Sequence, residues 1–372
     1  MGGKKRVAIV FGGRSAEHEI AILSARFVLE SLDRDAFEPV LIGIDKHGKW
    51  LLQEEALLLQ GSRDPRLARL NQGMPEATLA PHPGADGGSL SVAGREGLGV
   101  DVVFPVLHGP FGEDGCIQGL LAMAGLPHVG AGVLGSAVGM DKDVMKRLLR
   151  DAALPLVPHT VISASAWERS RAACIERAAS LGYPAFVKPA CLGSSVGVTK
   201  AADLAGLVRG IDEAFAFDVK VVVEAGVPDV RELECAILGN DEPRASRVGE
   251  ITVNHADGFY SYAAKYVDEH GVEMHMPARI PEEEERAVQA IALRAFKALE
   301  CEGLARVDLF RSGDGKLYVN EINTIPGFTA ISMYPKLWEL SGVPPKELVS
   351  ELIRLAFERA ARRSRLRTSA AP

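Results

Sequence analysis

The first third of the chain alternates short, continuous apolar runs with amphipathic stretches. The runs RVAIVF, PVLIGI and VDVVFPVL have the length of buried strands, and a helical pattern that ends at Leu32 separates the first two. Strands that alternate with helices indicate βαβ units, so residues 1–140 predict an α/β domain with a mostly parallel sheet. The Gly- and Pro-rich interval at residues 72–98 interrupts this pattern and predicts a surface loop.

Two further regions show other patterns. Residues 141–224 begin at Asp141, a good N-cap for the helical stretch KDVMKRLLRDA, and contain the strand-like runs PAFVK and VKVVVE. Residues 225–372 combine antiparallel-looking strands with a helix that Pro281 opens. We therefore expect three units and a fold of mixed α/β and α+β class.

The segment 255–278 is long, polar and aromatic, and Lys265 and Tyr266 lie near its centre. A mobile surface loop would account for its length and polarity. Its aromatic side chains are a poor choice for exposure to solvent, however, and long loops of this kind are often lids over active sites. The composition therefore favours a lid in the third unit.

The third unit also contains a predicted β-hairpin over residues 306–327. Two apolar, β-branched runs flank Asp314-Gly315, a dipeptide suited to a two-residue type I′ turn. Such a turn would place Gly313 opposite Lys316, and the same register would continue along both strands. The turn therefore predicts which polar residues of the hairpin face each other.

This register sets Asp308 opposite Glu321 and Arg306 opposite Asn323, with all four side chains on one face. Asp308 and Glu321 would repel each other as bare carboxylates. Together with Asn323 they are hard oxygen donors that suit Mg²⁺ or Mn²⁺ bridged to phosphate. The alternative is a solvated polar face with an ordinary cross-strand ion pair. The pattern favours the metal site, because a solvated face seldom runs straight into Ile-Pro-Gly.

Charge and cysteine content narrow the class of protein. A net charge of −7 argues against a nucleic-acid partner held by a basic surface. No segment approaches the roughly 20 apolar residues that a membrane span needs, so we expect no membrane partner. The five cysteines are scattered, odd in number and without CxxC pairing, which is typical of free thiols in a reducing cytosol.

The segment VKPACLGSSVGV has features of a phosphate-binding loop. Lys188 lies at a strand end, and Gly193, Ser194, Ser195 and Gly197 follow before another strand. Glycines let the backbone approach an anion, and successive N–H groups can form a nest for phosphate oxygens. The segment lacks the Walker A spacing and runs from strand to strand, so an ordinary Gly-Ser hairpin stays open as the alternative.

Two Gly-rich turns of the first unit carry further candidates. FGGRSAEHEI offers Ser15 as a helix cap and Glu17 in the first helical turn, at the carboxyl edge of the parallel sheet where α/β ligands bind. LHGPFGEDG places His108 on the same edge. A helix-capping acid and a structural histidine are the respective alternatives, and both stay open at this point.

The segment GAGVLG at residues 130–135 fits the dinucleotide fingerprint GxGxxG. It lies late in the first unit instead of at the first strand–helix turn, and the acidic residue expected about 20 positions later falls within or just after the next helix. We interpret the segment as a Gly-rich connection. The less favoured interpretation is a Rossmann dehydrogenase with an NAD site.

Taken in order, the motifs resemble those of one family. FGGRSAEHE, LHGPFGEDG, GMDK, VKPACLGSSVG, AAKY, RVDLF and NEINTIPGFT are similar to the motifs of the D-alanine–D-alanine ligases of the ATP-grasp superfamily, roughly from Val7 to Ala356. The resemblance implies an ATP-grasp fold behind an N-terminal parallel-sheet domain. It also implies ATP-dependent ligation of two D-alanine molecules through an acylphosphate, for peptidoglycan precursors, by a cytoplasmic homodimer.

The resemblance assigns nucleotide and metal positions. The family's ATP-binding positions fall on Lys142, Lys188, Ser195, Glu224, Glu232 and Lys265. Lys142 and Lys188 would contact the phosphates, and Lys265 would reach the γ-phosphate from the lid. Glu224 would lie at the adenine and Glu232 at the ribose. The family's ligands for two Mg²⁺ ions fall on Asp308, Glu321 and Asn323.

The position of the first D-alanine follows from the same resemblance. Glu17 would bind its ammonium group, linked by hydrogen bonds to Ser194 and Tyr266. His108 would lie near its carboxylate.

The second half of the reaction involves the hairpin and its exit. Arg306 and the backbone N–H of Gly327 would form an oxyanion hole, and Ser332 and Met333 would border the second D-alanine. Tyr266 suggests an amine nucleophile, so D-alanine is favoured in the second position over D-serine or D-lactate. Another ATP-grasp carboxylate–amine ligase and a non-catalytic nucleotide-binding module are the remaining alternatives.

Overall fold

The structure is a computed structural model that describes residues 3–62, 64–83, 90–92, 98–253 and 271–367. The strands are β1 Lys5–Gly12, β2 Phe37–Ile44, β3 Trp50–Gln53, β4 Ala77–Leu79, β5 Leu90–Val92, β6 Val102–Val106, β7 His159–Ser163, β8 Ala185–Pro189, β9 Thr199–Ala201, β10 Lys220–Ala225, β11 Arg231–Gly239, β12 Arg244–Val253, β13 Val272–His275, β14 Gly303–Arg311 and β15 Leu317–Asn323. The helices are His18–Ser31, Glu55–Gln60, Cys116–Met123, Val133–Met140, Lys142–Asp151, Ala164–Ala179, Leu204–Ala214, Glu282–Ala298, Met333–Leu340 and Pro345–Arg363. None of these helices is both long and apolar enough to cross a membrane.

The first sheet has the strand order β3-β2-β1-β6. Strand β1 runs parallel to β2 and β6, while β3 pairs antiparallel with β2 at the edge. Alternate residues of β1 enter two different hydrophobic cores, with Val7 and Ile9 on one side and Ala8 and Val10 on the other. This is the burial expected of a central strand with both faces covered, and the predicted mostly parallel sheet is confirmed.

The interval predicted as a surface loop contains an antiparallel strand pair, β4 with β5. Ala77, Leu90 and Val92 are buried and pack in the same core as Val10. The prediction is wrong at this point because the two strands have only three residues each, too few to show an alternating pattern among the surrounding glycines and prolines.

Two mainly antiparallel sheets follow along the chain. The second sheet has the order β7-β10-β8-β9, and the third has the order β13-β12-β11-β14-β15. The helix Lys142–Asp151 begins where predicted, because the Asp141 side chain accepts the N–H groups of Asp143 over 3.0 Å and Val144 over 3.1 Å. The predicted unit boundaries after residues 140 and 224 stay a prediction.

The turn of the hairpin β14–β15 differs from the predicted two-residue turn. The Gly315 N–H donates to Ser312 O over 2.9 Å, and the Ser312 N–H donates to Lys316 O over 2.9 Å. Gly315 has φ +83°, but Asp314 does not have a positive φ, whereas a type I′ turn needs one at both residues. The loop is therefore a three-residue connection, and the register beside it is shifted by one residue from the prediction.

A second irregularity restores the predicted pairing at the other end of the hairpin. Asp308 faces Glu321, but the pairing toward the turn skips Asn320, which is an extra residue in β15. This β-bulge compensates the shift at the turn, so Arg306 faces Asn323 as predicted. The facing pairs are confirmed, although the turn from which they were inferred is wrong.

The first sheet and the C-terminal helices share one hydrophobic core. The shared cluster includes Ile22, Leu29, Trp338 and Leu352. Arg359, which is buried on the helix Pro345–Arg363, donates to the backbone oxygens of His128 over 2.6 Å and of Gly130. This packing holds the first sheet against the C-terminal part of the chain and brings its carboxyl edge close to the hairpin β14–β15.

Candidate active site

The polar face of the hairpin holds an arginine–carboxylate network. Arg306 Nε donates to Asp308 Oδ1 and Arg306 Nη2 to Asp308 Oδ2, both over 2.7 Å. Arg306 Nε also lies 3.0 Å from Oε2 of Glu234 on the neighbouring strand β11, and Asn323 Nδ2 donates to Asp308 Oδ2 over 3.0 Å. Because side chains alternate along β14, this network lies on the side opposite the buried Val307. We call Glu234, Arg306, Asp308, Glu321 and Asn323 the hairpin face.

The hairpin face offers oxygen donors of the kind that Mg²⁺ binds. Asp308 and Glu321 face each other, and the Asn323 amide lies against Asp308. Among the described residues, no group of three His, Cys, Asp or Glu side chains is placed to hold a metal ion. Two carboxylates with an amide oxygen nevertheless fit a divalent cation whose other ligands are phosphate oxygens. The ion pair of the alternative interpretation is also present, because Arg306 pairs along β14 with Asp308 and across to Glu234 on β11.

A buried lysine cluster surrounds Glu224 at the end of β10. Lys146 Nζ lies 2.7 Å from Glu224 Oε1, and Lys188 Nζ lies 2.8 Å from Glu224 Oε2. Each of the three side chains is 10% exposed or less. Desolvation opposes the ionisation of Glu224, but the charges of the two lysines outweigh it and hold the Glu224 pKa well below its usual range. The positive charge of Lys142 also acts on Lys146. We call Lys142, Lys146, Lys188 and Glu224 the lysine cluster.

The bulge residue Asn320 connects the lysine cluster to the hairpin face. Lys188 Nζ donates to Asn320 Oδ1 over 3.2 Å, and Lys146 Nζ donates to the Asn320 backbone oxygen over 3.4 Å. The next residue, Glu321, has its Oε2 3.4 Å from Lys142 Nζ. The bulge therefore aims one residue at the buried lysines and keeps the neighbouring carboxylate on the hairpin face.

The predicted phosphate loop, residues 190–198, joins the antiparallel strands β8 and β9. An ordinary Gly-Ser hairpin would also join two antiparallel strands, but this loop has an unusual backbone conformation. Ser194 and Ser195 have φ of +52° and +57°, and Gly197 has φ +71°. Left-handed residues in succession cost energy and can turn neighbouring N–H groups toward one anion. Lys142 Nζ donates to Leu192 O over 2.7 Å, which ties the loop to the helix Lys142–Asp151.

Glu17 lies at the start of the helix His18–Ser31, beside two Gly-rich loops. It occupies the N-cap position itself, and Ser15 Oγ accepts its N–H over 3.0 Å, so the helix begins slightly later than predicted. A Cβ atom at Gly109 would lie 3.5 Å from Glu17 Oε2, and one at Gly193 would lie 3.8 Å from it. The Glu17 carboxylate therefore lies between the loop after β6 and the phosphate loop.

His108 is buried, and both of its ring nitrogens are bound within the protein. Nδ1 lies 3.0 Å from the backbone oxygen of Ile325, and Nε2 lies 3.3 Å from Ser24 Oγ. A carbonyl oxygen only accepts, so we assign the proton to Nδ1, and Nε2 accepts from the serine hydroxyl. The predicted contact of His108 with a substrate carboxylate stays a prediction.

Glu113 lies on the same loop as His108 and was not predicted as a site residue. Its Oε2 accepts the N–H of Gly109 over 2.7 Å, and its Oε1 accepts the N–H of Ile325 over 3.2 Å. Desolvation, followed by the negative charges of Glu17 and Glu321, raises the pKa of Glu113 to about 8. The carboxyl group is therefore held mostly protonated at neutral pH in the folded protein.

Most of the hairpin face, the phosphate loop and the residues Glu17, His108 and Glu113 line a cavity of about 950 Å³, whereas the lysine cluster lies outside its lining. The predicted site residues that line it are Glu17, His108, Ser194, Arg306, Glu321, Asn323, Gly327, Ser332 and Met333. A cavity of this size accommodates small polar ligands. A Cβ atom at Gly327 would lie 3.0 Å from Ser332 Oγ, so the hairpin exit and the start of the helix Met333–Leu340 approach closely there.

Of the predicted residues that do not line the cavity, Ser195 belongs to the phosphate loop and Asp308 to the hairpin face. Lys142, Lys188 and Glu224 belong to the lysine cluster, and Glu232 on β11 contributes to the raised pKa of Lys188, although desolvation by burial opposes that shift. Lys265 and Tyr266, with most of the predicted lid, lie outside the described residues.

The GAGVLG segment is explained by packing. Gly130 has φ +93°, and a Cβ atom at Gly303 would lie 3.1 Å from its backbone. A Cβ atom at Gly135 would lie 2.6 Å from the backbone oxygen of Glu300. These glycines let the helix Val133–Met140 approach the chain before β14, as expected of a Gly-rich connection.

Four residues of the site were missed in the sequence: Glu113, Lys146, Glu234 and Asn320. Lys146 follows Lys142 by four residues and thus shares its helix face, which was a usable indication. Glu234 lies two residues after Glu232 on one strand, so alternation would have placed both on one face. The sequence carries no comparable indication of the bulge at Asn320.

Comparisons with known proteins point to one family. A family model described as D-ala D-ala ligase N-terminus matches residues 6–131, and one described as D-ala D-ala ligase C-terminus matches residues 148–354. The D-alanine–D-alanine ligase of Shouchella clausii is 49% identical over 367 residues, which cover 98% of each chain. D-alanine–D-alanine ligase A of Salmonella typhimurium is 47% identical over 369 residues, which cover 98% of this chain and 99% of the relative.

Solved structures give the same result. The D-alanine–D-alanine ligase from Coxiella burnetii is 36% identical, with a TM-score of 0.83 over 97% of this chain and 96% of that chain. The VanG D-Ala:D-Ser ligase from Enterococcus faecalis is 36% identical, with a TM-score of 0.84 over 95% of this chain and 100% of that chain.

The fold and the family comparisons define an ATP-dependent ligase of the ATP-grasp type. The chain belongs to the D-alanine–D-alanine ligase family. The predicted family, fold class and ligase activity are thereby confirmed, and the dehydrogenase interpretation of GAGVLG is wrong. The family uses ATP, D-alanine and a divalent metal ion, as predicted.

Proposed function

We propose that this protein joins two D-alanine molecules to D-alanyl-D-alanine in the cavity between the first sheet and the hairpin β14–β15. One observation supports this site above all others. A lysine cluster with excess positive charge and a hairpin face with excess negative charge adjoin at Asn320, and most of the hairpin face lines the cavity. A nucleotide triphosphate with its divalent ions complements both regions at once.

The lysine cluster and the phosphate loop are proposed to bind ATP. Lys142 and Lys188 contact the phosphates, and the backbone N–H groups near Ser195 approach their oxygens. Glu224 and Glu232 bind the adenine and the ribose. Lys265 reaches the γ-phosphate from the lid.

Asp308, Glu321 and Asn323 are proposed to bind two Mg²⁺ or Mn²⁺ ions. When bound, these ions offset the negative charge on the transferring phosphoryl group. The protein contributes the strand register that holds Asp308 and Glu321 opposite each other, and Arg306 keeps the Asp308 carboxylate in a fixed orientation.

Glu17, with Ser194 and Tyr266, is proposed to bind the ammonium group of the first D-alanine. A free carboxylate is a poor electrophile and needs activation. Phosphoryl transfer from ATP to the carboxylate of this D-alanine gives an acylphosphate and ADP. Exclusion of water protects this intermediate, which is the proposed function of the lid.

The amine of the second D-alanine, bordered by Ser332 and Met333, then attacks the acylphosphate carbon. Arg306 and the Gly327 N–H stabilise the tetrahedral oxyanion, an effect worth about 3–4 kcal/mol per donor in other enzymes. Collapse of the intermediate forms the peptide bond and releases phosphate, and the amine loses a proton.

ADP release and product mass measured over a panel of amino acids and hydroxy acids test the proposal. D-Alanine alone should support ADP release and yield one dipeptide per ADP, while L-alanine should support neither. ADP release that requires D-serine or D-lactate in addition to D-alanine would show that the second site has another specificity.

The family resemblance also predicts a cytoplasmic homodimer, and the net charge and the lack of a long apolar segment predict no nucleic-acid or membrane partner. Sedimentation equilibrium of the purified protein measures the assembly, and a monomer at micromolar concentration would contradict it.

A further inference from the structure

The backbone next to Gly327 is bound by side chains from the first region of the chain. The Ile325 N–H donates to Glu113 Oε1 over 3.2 Å, and the Ile325 oxygen accepts from His108 Nδ1 over 3.0 Å. Pro326, between Ile325 and Gly327, has no N–H group to donate. Both polar backbone groups of Ile325 are therefore bound by one loop of the N-terminal region.

A third side chain binds the other flank of Gly327. The Phe328 N–H donates to Ser24 Oγ over 3.3 Å, and the Ser24 hydroxyl lies 3.3 Å from His108 Nε2. Glu113 Oε2 accepts the Gly109 N–H over 2.7 Å, which fixes the carboxyl group on its own loop. Ser24, His108 and Glu113 thus form one connected set, which we call the clasp.

The Phe328 side chain anchors the same segment in the core. Its ring lies 6.1 Å from that of Phe27, 5.8 Å from that of Phe104 and 5.7 Å from that of Tyr334, measured between ring centroids. The clasp and this aromatic cluster hold the backbone on both sides of Gly327.

We propose that the clasp positions the Gly327 N–H for the oxyanion of the peptide-forming step. This inference rests on the proposed function. Ser24 and Glu113 are then positioning residues that act through the backbone. Ser24 makes the clearest case, because it is completely buried and does not line the cavity. A hydrogen bond that forms fully only in the transition state affects kcat more than KM.

The test is Ser24→Ala, with Ser31→Ala as the matched control. Ser31 is a buried serine on the same helix, and no contact with the Gly327 segment is among its described interactions. Ser24→Ala should lower kcat for dipeptide formation at least about tenfold, while KM for ATP and D-alanine stays within about twofold. Ser31→Ala should retain wild-type kcat.

A kcat for Ser24→Ala equal to that of Ser31→Ala would overturn the proposal. So would a loss of activity that matches the loss of folded protein, as measured by urea unfolding. Failure of the proposed function looks different, because the wild-type protein itself would then make no dipeptide from D-alanine.

Glu113→Gln keeps the test decisive if Ser24→Ala does not fold. The glutamine oxygen can still accept one of the two N–H groups, so we expect a smaller loss of kcat than in Glu113→Ala. Equal losses in Glu113→Gln and Glu113→Ala would contradict the clasp without any use of Ser24→Ala. Where Ser24→Ala folds, its effect and that of Glu113→Gln should combine in the double variant to less than their product, because both act on one segment. Fully multiplicative effects would show that the two residues act separately and would contradict the clasp.

Discussion

The lysine cluster and the hairpin face lie side by side and have opposite charge composition. In the cluster, Lys146 and Lys188 contact the carboxylate of Glu224, and the charge of Lys142 acts on Lys146. On the hairpin face, the carboxylates of Glu234 and Asp308 contact the guanidinium of Arg306, and Glu321 faces Asp308. Each region alone carries an excess of one sign, and Lys142 and Glu321 lie 3.4 Å apart across the boundary between them. Two adjoining regions of opposite charge suit a ligand that carries both signs, with phosphate toward the lysines and a divalent cation toward the carboxylates.

The two regions also shift the pKa values of carboxyl groups in opposite directions. The lysines hold the pKa of Glu224 below its usual range even though it is desolvated. Near the hairpin face, desolvation and the charges of Glu17 and Glu321 raise the pKa of Glu113 to about 8. The local excess charge thus opposes desolvation in the first region and reinforces it in the second.

The largest effect is expected from removing the one anion of the lysine cluster. Glu224→Gln leaves buried ammonium groups without a counter-charge and should lower the free energy of unfolding by about 3–5 kcal/mol in urea. Lys146→Met should cost clearly less, because Lys188 still pairs with Glu224. A smaller loss in Glu224→Gln than in Lys146→Met would show that the cluster is not governed by charge imbalance.

Removing the one cation of the hairpin face should act on catalysis. Arg306→Ala should lower kcat for dipeptide synthesis about 10²–10³-fold, because a donor to the oxyanion is lost. KM for ATP should change little, and steady-state kinetics measure both. Turnover at the wild-type rate would refute the oxyanion role of Arg306.

Neutralising one carboxylate of the hairpin face should weaken metal use. Glu321→Gln should raise the Mg²⁺ concentration for half-maximal activity by about tenfold or more, equivalent to about 1.4 kcal/mol. Asp314→Asn, at the turn of the same hairpin, is the matched control and should leave the Mg²⁺ titration unchanged. An unchanged titration in Glu321→Gln would count against metal ligation.

The raised pKa of Glu113 predicts a dependence of stability on pH. Glu113 has a reference pKa of 4.5 and a folded-state pKa of about 8, so the folded protein keeps a proton that the unfolded chain has lost. Its stabilisation is complete below the lower value and is lost as pH rises through the higher one. In buffer without divalent ions, wild-type stability should fall relative to Glu113→Gln between pH 6 and 8, by at most about 1.4 kcal/mol per pH unit. Parallel stability curves would show that the Glu113 pKa is not raised.

The sequence by itself determined the features that depend on local periodicity. Asp141 was recognised as a helix cap, since a cap binds N–H groups two and three residues away. Strand alternation placed Arg306, Asp308, Glu321 and Asn323 on one face, and the order of the motifs was sufficient to recognise the family. These features need only short-range geometry or resemblance.

The tertiary structure alone decided the register correction and the contacts between distant segments. Asn320 forms a bulge because its neighbours pack against other strands and the lysine cluster. No residue near Asn320 in the sequence indicates this bulge. Glu113 and Ile325 are 212 positions apart in the chain, and Lys146 and Asn320 are 174 apart. Such pairs meet only after the sheets and the C-terminal helices have packed. The periodicity of the sequence indicates the face on which a side chain lies, but not the residue that it contacts.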